Sequence, residues 1–270
     1  MAFLRALRSR TLIALVIFLS AIIFIFPLMA ATAYSFKGEA GKGLTFANYQ
    51  WLLHQDGFWP NLFASFKLAI LAGALNLLVM VPTMVYLHLR GQKWKPLVDF
   101  ICVLPLIIPV VSLAIGAQIA MPELLQNTEY ELVFFFVIIS LPYTFRALDT
   151  SLSSVALKTL VEASRSLGGS WFSTISKVII PSIRSGITGA LFLSFALSIG
   201  EYTITSLLHW ETFPTWTVVA AQQNILGAIA ISIFSFVGAI ALMGSVALIA
   251  QKRKKNLKVT AQSIDEEVSV

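Results

Sequence analysis

The chain is poor in charge, in cysteine and in histidine. Only 12% of its 270 residues are charged, against 57% hydrophobic, whereas roughly a quarter of the residues of an ordinary soluble domain carry charge. The single cysteine, Cys102, excludes a disulfide within the chain and any paired-thiol redox motif. The three histidines, His54, His88 and His209, fall at predicted helix edges or in loops. None sits in an H-E-x-x-H pattern or beside a cysteine at metal-ligand spacing, so neither a metal site nor a hydrolase centre is expected. "GEAGKG" at Gly38–Gly43 lacks the spacer of a phosphate loop and the Ser or Thr after its lysine. The chain is therefore not expected to bind ATP.

What it has is hydrocarbon. Six windows are long and apolar enough to cross a bilayer, for which about 20 helical residues suffice. They run over Leu12–Tyr34, Leu62–Leu87, Val98–Met121, Leu132–Ala147, Ile183–Leu208 and Ile225–Ile249. The fourth is short and interrupted by Pro142. The prediction is an all-α polytopic membrane protein. A secretory signal could also follow Arg5, Arg8 and Arg10 and end at the "ATA" of Ala31–Ala33. The uninterrupted core Leu12–Ala30 is longer than the roughly 7–15 residues of such signals, so a retained anchor is expected.

Orientation follows from the cations. Three precede the first window, and Arg90, Lys93 and Lys95 join the second to the third. Arg146, Lys158, Arg165, Lys177 and Arg184 join the fourth to the fifth, and five follow the sixth from Lys252 to Lys258. Sixteen of the nineteen Lys and Arg thus share one side, which by the positive-inside rule puts both termini in the cytoplasm. The net charge of +6 is explained by this topology and by attraction to anionic membrane lipids, with no nucleic-acid partner. Residues 1–60 comprise the first helix and an outer loop, 61–249 the membrane core, and 250–270 a basic and then acidic tail expected to be disordered.

Kink residues recur inside the windows: Pro82, Pro105, Pro109 and Gly200. Glu201 falls in the fifth window, close to a stripe of small residues, Ser182, Gly186, Ala190, Ser194 and Ser198, that would let another helix approach closely. A carboxylate in the membrane is a candidate functional group. Lys67, in the second window, is predicted at similar depth. Three readings stay open: an ion pair with Lys67 or hydrogen bonding within the bundle, a contact with solute in a translocation path, and a protonated bystander.

Between the fourth and fifth windows the chain reads "VALKTLVEASRSLGGSWFSTISKVIIP". Val155, Leu157, Leu160, Ala163 and Leu167 keep helical spacing, and Gly168–Gly169 supplies a left-handed stop. A second short helix is predicted from near Ser170 to a break at Pro181. The pattern Glu162-Ala163-Ser164, three residues, Gly168, nine residues, Val178-Ile179-Ile180-Pro181 resembles the EAA loop of ABC importer permeases, E-A-A-x3-G-x9-I-x-L-P. Ser164, Val178 and Ile180 are its departures. The resemblance extends over most of Asn61–Ile249. A loop merely resting on headgroups would explain neither the acid nor the spacing.

The resemblance implies the permease subunit of a type I ABC importer in a bacterial plasma (inner) membrane. It implies a dimer of ATPase subunits carrying the ATP and Mg, a second permease that is identical or paralogous, and an extracytoplasmic solute-binding protein. Glu162 through Gly168 would then form the coupling helix seated on the ATPase. "SIGEYTIT" resembles the branch serving polyamines, aminoethylphosphonate, thiamine, iron and oxyanions, and Glu201 would suit an amine-bearing solute if it faces the path. A six-helix carrier or channel without an ATPase is the alternative, and it gives the elbow no role.

Overall fold

The computed structural model describes residues 2–38, 43–241 and 244, with side chains from Leu12 onward. The end of the sixth predicted window, the basic cluster at Lys252–Lys258 and the acidic tail lie outside the described residues. So do Glu39–Lys42 and the side chains of the N-terminal arginines. Among the described residues the chain is helical, apart from an isolated bridge between Lys37 and Leu44. It divides into two units, residues 1–56 with 217–270, and residues 57–216.

The first unit holds α1 (Ala2–Ser35) and α2 (Ala47–Leu53). The Asn48 side-chain amide donates to the Ser35 and Lys37 carbonyls at 2.8 and 2.9 Å, which ties α2 to the end of α1. The most apolar stretch of α1 contains no buried residue.

The second unit contains α3 (Phe58–Leu89), α4 (Lys95–Ile107), α5 (Val110–Ala120), α6 (Glu131–Ser153), α7 (Leu157–Ser166), α8 (Trp171–Thr174), α9 (Ile180–Ser182), α10 (Arg184–Ile199) and α11 (Thr203–Leu207). α12 (Phe213–Gln223) crosses the boundary between the units, and α13 (Ile225–Ala241) belongs to the first.

Four stretches are long and apolar enough to span a membrane: Leu12–Ser35, Phe58–Leu89, Glu131–Ser153 and Arg184–Leu207. The predicted third span is instead two helices, α4 and α5, whose axes differ by 110°. Pro109 causes the break, because the residue before a proline is pushed out of helical geometry. Ile108 and Pro109 are both extended, with ψ of 132° and 131°. The fourth window departs the other way, running unbroken for 23 residues through Pro142. The carbonyl that Pro142 leaves without an amide is that of Ile138, and the proline is itself buried within the unit, a setting in which a membrane helix tolerates it.

α3, α6 and α10 pack against one another as the centre of the second unit. Toward one end they bury Met84, Phe145, Leu148, Leu152 and Ile183, and toward the other Leu68, Ala72, Leu132, Phe135 and Phe136. A polar cluster joins all three helices. Asn76 Nδ2 of α3 donates to Ser140 Oγ of α6 at 2.6 Å, Thr144 Oγ1 donates to Asn76 Oδ1 at 3.1 Å, and Ser140 Oγ lies 3.0 Å from Ser194 Oγ of α10. All four side chains are fully buried. With no water in the hydrocarbon, these groups must satisfy one another.

The small-residue stripe is buried from Gly186 through Ala190 and Ser194 to Ser198. Ser182 does not belong to it: it is exposed, in α9, and donates to the Val178 carbonyl. A β-carbon on Gly186 would lie 2.3 Å from Ser151 Cβ, so α10 and α6 meet there at a distance only glycine allows.

Candidate functional site

The elbow begins where α6 ends. Leu157 and Val161 point inward, against the cluster that contains Leu152, Ile179 and Ile183. Glu162 and Ala163 are exposed on the opposite side of α7 and Ser164 is half-buried, so an amphipathic helix three turns long lies with its acid outward. The helix starts at Leu157, three residues later than the periodicity from Ser154 predicts, after a turn at Ser154 and Val155.

Gly168 has φ of +79°, the left-handed conformation that ends helices and favours glycine. Its amide donates to Arg165 O at 3.0 Å, and the Gly169 amide to Ser164 O at 2.9 Å. A β-carbon on Gly169 would sit 2.8 Å from that same carbonyl, so each glycine of the pair has its own steric reason. Ser170 then caps the next helix, accepting from the Ser173 amide at 3.2 Å. Ser164, which departs from the family pattern, uses its hydroxyl to meet Thr174 Oγ1 at 2.9 Å across the turn. An alanine could not make that bond.

Beyond α8 the backbone widens into a π turn, Ile175–Ile179. Pro181 follows within α9 and does not end it. It cannot give the amide that an α turn would direct to the Lys177 carbonyl, and the widened turn just before it is where the chain absorbs that loss. The break falls at Ile183, and α10 begins at Arg184.

Glu201 and Lys67 do not meet. Lys67 bonds Glu129 in the segment before α6, and its Nζ lies 5.3 Å from the centre of the Tyr130 ring. Glu201 lies between helices, α10 having ended at Ile199 with Gly200 as its cap. Its carboxylate accepts from the Ile204 amide at 3.0 and 3.1 Å and from the Thr205 amide at 3.2 Å. The break leaves the first amides of α11 without intrahelical partners, and the nearest carboxylate takes them. Of the three readings, the ion pair with Lys67 is not formed, and the carboxylate is instead held by the backbone amides just after it.

Two polar sites went unanticipated. Glu131, one residue before the fourth predicted window, is buried at 1% exposure at the start of α6, where Trp210 Nε1 donates to its Oε1 at 2.5 Å. Asp149 of α6 accepts from Lys95 at 2.6 Å and lies 2.8 Å from His88 Nε2, joining α6 to α4 and α3. The sequence carried a partial signal for Asp149, a carboxylate three residues beyond Arg146 at the end of an apolar run. It carried none for the burial of Glu131.

The family model described as the binding-protein-dependent transport system inner membrane component matches residues 75–255. The chain belongs to this family. Among relatives of this permease, one named as a 2-aminoethylphosphonate transport system permease, PhnV of Salmonella typhimurium, is 28% identical over 194 residues, 69% of this chain and 72% of that one. The spermidine/putrescine transport system permease PotC of Escherichia coli is 23% identical over 173 residues, 64% of this chain and 65% of the relative. Among solved structures, a bacterial ABC transporter involved in import of the acidic polysaccharide alginate superposes with a TM-score of 0.71. It is 16% identical, covering 90% of this chain and 97% of that one, a likeness of fold. The chain is thus an ABC importer permease subunit.

Proposed function

We propose that the exposed face of α7, Glu162 to Gly168, is the seat of a separate ATPase, and that the permease moves an amine-bearing small solute delivered by an external binding protein. The observation that carries the first part is the elbow itself: an acid on a short, outward-facing helix, stopped by Gly168 and packed through Leu157 and Val161 onto the core cluster. ATP and Mg belong in this reading to a pair of ATPase subunits, and a second permease, identical or paralogous, completes the membrane part. Closure of the ATPases would draw the two elbows together, and the two states differ in their ATPase contacts, which lets ATP bias them. The cation distribution supports cytoplasmic termini. The sixth span of this reading is the window that begins at Ile225, where α13 lies, with the bent α4–α5 pair counted as one crossing.

For the solute, support comes from the relatives named for 2-aminoethylphosphonate and for spermidine and putrescine, all three of them amines. Glu201 adds little to it, because its carboxylate is engaged by backbone amides. The test is co-purification: Glu162→Ala and Gly168→Asp are expected to leave the chain inserted but to lose the ATPase or uncouple uptake from hydrolysis. Unchanged uptake in both variants refutes the coupling role. Binding of putrescine, spermidine and 2-aminoethylphosphonate to the cognate external receptor decides the solute, and a receptor that binds none of these amines overturns that part.

A further inference from the structure

A cavity of about 620 Å³ lies between α3 and the elbow. Leu78, Val81 and Val85 of α3 form one wall, and Trp171, Ile175 and Ile180 another. It follows α3 from Ala74 to Leu89, about 22 Å at helical rise, which exceeds the roughly 15 Å hydrocarbon depth of a single leaflet. The π turn beginning at Ile175 widens the elbow on that side. The lining is apolar except at one end, where Arg90 stands.

The charge at that end is unbalanced. Arg90 Cζ lies 5.9 Å from the centre of the Trp171 ring and Arg165 Cζ 5.5 Å from the same ring. Among the described residues the ion pairs lie elsewhere, at Glu129, Asp149 and Asp99, and neither guanidinium has a carboxylate partner. Arg165 spends one N–H on the Gly169 carbonyl. Two like charges gathered on one indole call for an anion, and planar guanidinium groups suit phosphate oxygens in pairs.

We infer that the slot holds an acyl chain of an anionic phospholipid from the cytoplasmic leaflet, its phosphate held between Arg90 and Arg165. A soluble phosphate compound would leave a leaflet-deep apolar slot unfilled. A peptide strand would bring amides and carbonyls against walls that offer them no partner. An indole beside the charges fits the interfacial band where tryptophan concentrates. The lipid would bridge α3 to α8 and the π turn, so its presence would fix the distance between the elbow and the helix core. Placing the arginines at the cytoplasmic surface rests on the coupling reading above.

The experiment uses the assembled transporter in nanodiscs doped with phosphatidylglycerol or phosphatidylcholine carrying a photoactivatable group on one acyl chain, with labelled peptides mapped by mass spectrometry. Phosphatidylglycerol is expected to label the 74–90 and 171–187 segments preferentially. Selectivity should fall about fivefold for each arginine in Arg90→Ala and Arg165→Ala, the weight of one basic residue beside an anionic leaflet. Leu78→Trp, at a side chain 72% exposed, should narrow the slot and lower labelling with both arginines in place. Equal labelling by both lipids, indifference to the arginines, or cross-linking of these segments to a second permease copy overturns the assignment. ATPase retention and uptake in Glu162→Ala and Gly168→Asp, measured on the same preparations, separate the two readings. Selective, arginine-dependent labelling alongside unchanged uptake in both variants preserves the lipid slot and removes the coupling role. Unselective labelling with the ATPase lost does the reverse.

Discussion

Gly186 and Gly189 sit three residues apart on α10, and substituting each by alanine separates helix propensity from packing. A β-carbon at Gly186 would lie 2.3 Å from Ser151 Cβ, 2.7 Å from Ser151 Oγ and 3.2 Å from the Ala147 carbonyl, whereas one at Gly189 would meet nothing within 4 Å. Carbon atoms prefer about 3.5–4.0 Å, so Gly186→Ala must drive α10 and α6 apart locally by about 1.5 Å. Overpacking of this kind costs about 1–3 kcal/mol. Both variants gain up to about 1 kcal/mol from replacing glycine in a helix. Gly189→Ala is expected to be neutral or stabilising and Gly186→Ala to be less stable than Gly189→Ala by about 2 kcal/mol. Thermal unfolding of the purified protein in one detergent measures the difference. Ser151→Gly should restore most of the loss in the Gly186→Ala background and little in the Gly189→Ala background. Equal stability of the two alanine variants would mean that α6 and α10 do not approach at Gly186, and the packing argument would fail.

Asn76→Ala removes the amide that bonds both Ser140 and Thr144; interhelical bonds in membranes contribute about 0.6–1.7 kcal/mol each, so a fall in unfolding temperature is expected without loss of insertion. Glu201→Ala uncaps α11 and should destabilise by about 1 kcal/mol, while Glu201→Gln, which keeps one acceptor oxygen, should recover part of it. A loss of uptake in Glu201→Gln at unchanged stability would instead reveal a solute contact. Trp210→Phe leaves the buried Glu131 carboxylate without its donor and should cost about 1–3 kcal/mol, whereas the double variant Glu131→Gln/Trp210→Phe should lose less than Trp210→Phe alone. Unfolding midpoints of the three proteins decide this.

The elbow was the most legible part of the chain because three local rules agree there. Helical spacing makes α7 amphipathic, although of the stripe Val155, Leu157, Leu160, Ala163 and Leu167 only Leu157 is buried, and Val161 takes the place of Ala163 and Leu167, which are exposed; Gly168 supplies the positive φ, and Ser170 caps the next helix. None of these needs a distant partner. The misplaced features depend on one. Pro109 and Pro142 look alike in sequence, yet Pro109 stands at the break between two helices while Pro142 is buried inside one that continues through it. Equal depth along two helices suggested a pair between Glu201 and Lys67. Depth is blind to azimuth, and to a helix end at Gly200 that presents bare amides nearer than any lysine.

The same contrast bears on how force could pass through this permease. An elbow that merely lay against the core could slide when pushed, but this one is continuous with α6 on one side and α10 on the other, and its buried face shares a cluster with Leu152 and Ile183. α6 and α10 are locked together in turn by the Gly186 contact with Ser151 and by Ser140 with Ser194. Asn76 extends the lock to α3. Small side chains at van der Waals contact deform little, so under the proposed coupling role a displacement of α7 would pass to three helices as a body. That proposal then predicts that variants which loosen the close-packed stripe or the polar cluster, Asn76→Ala among them, lower uptake per ATP hydrolysed before they lower ATPase binding.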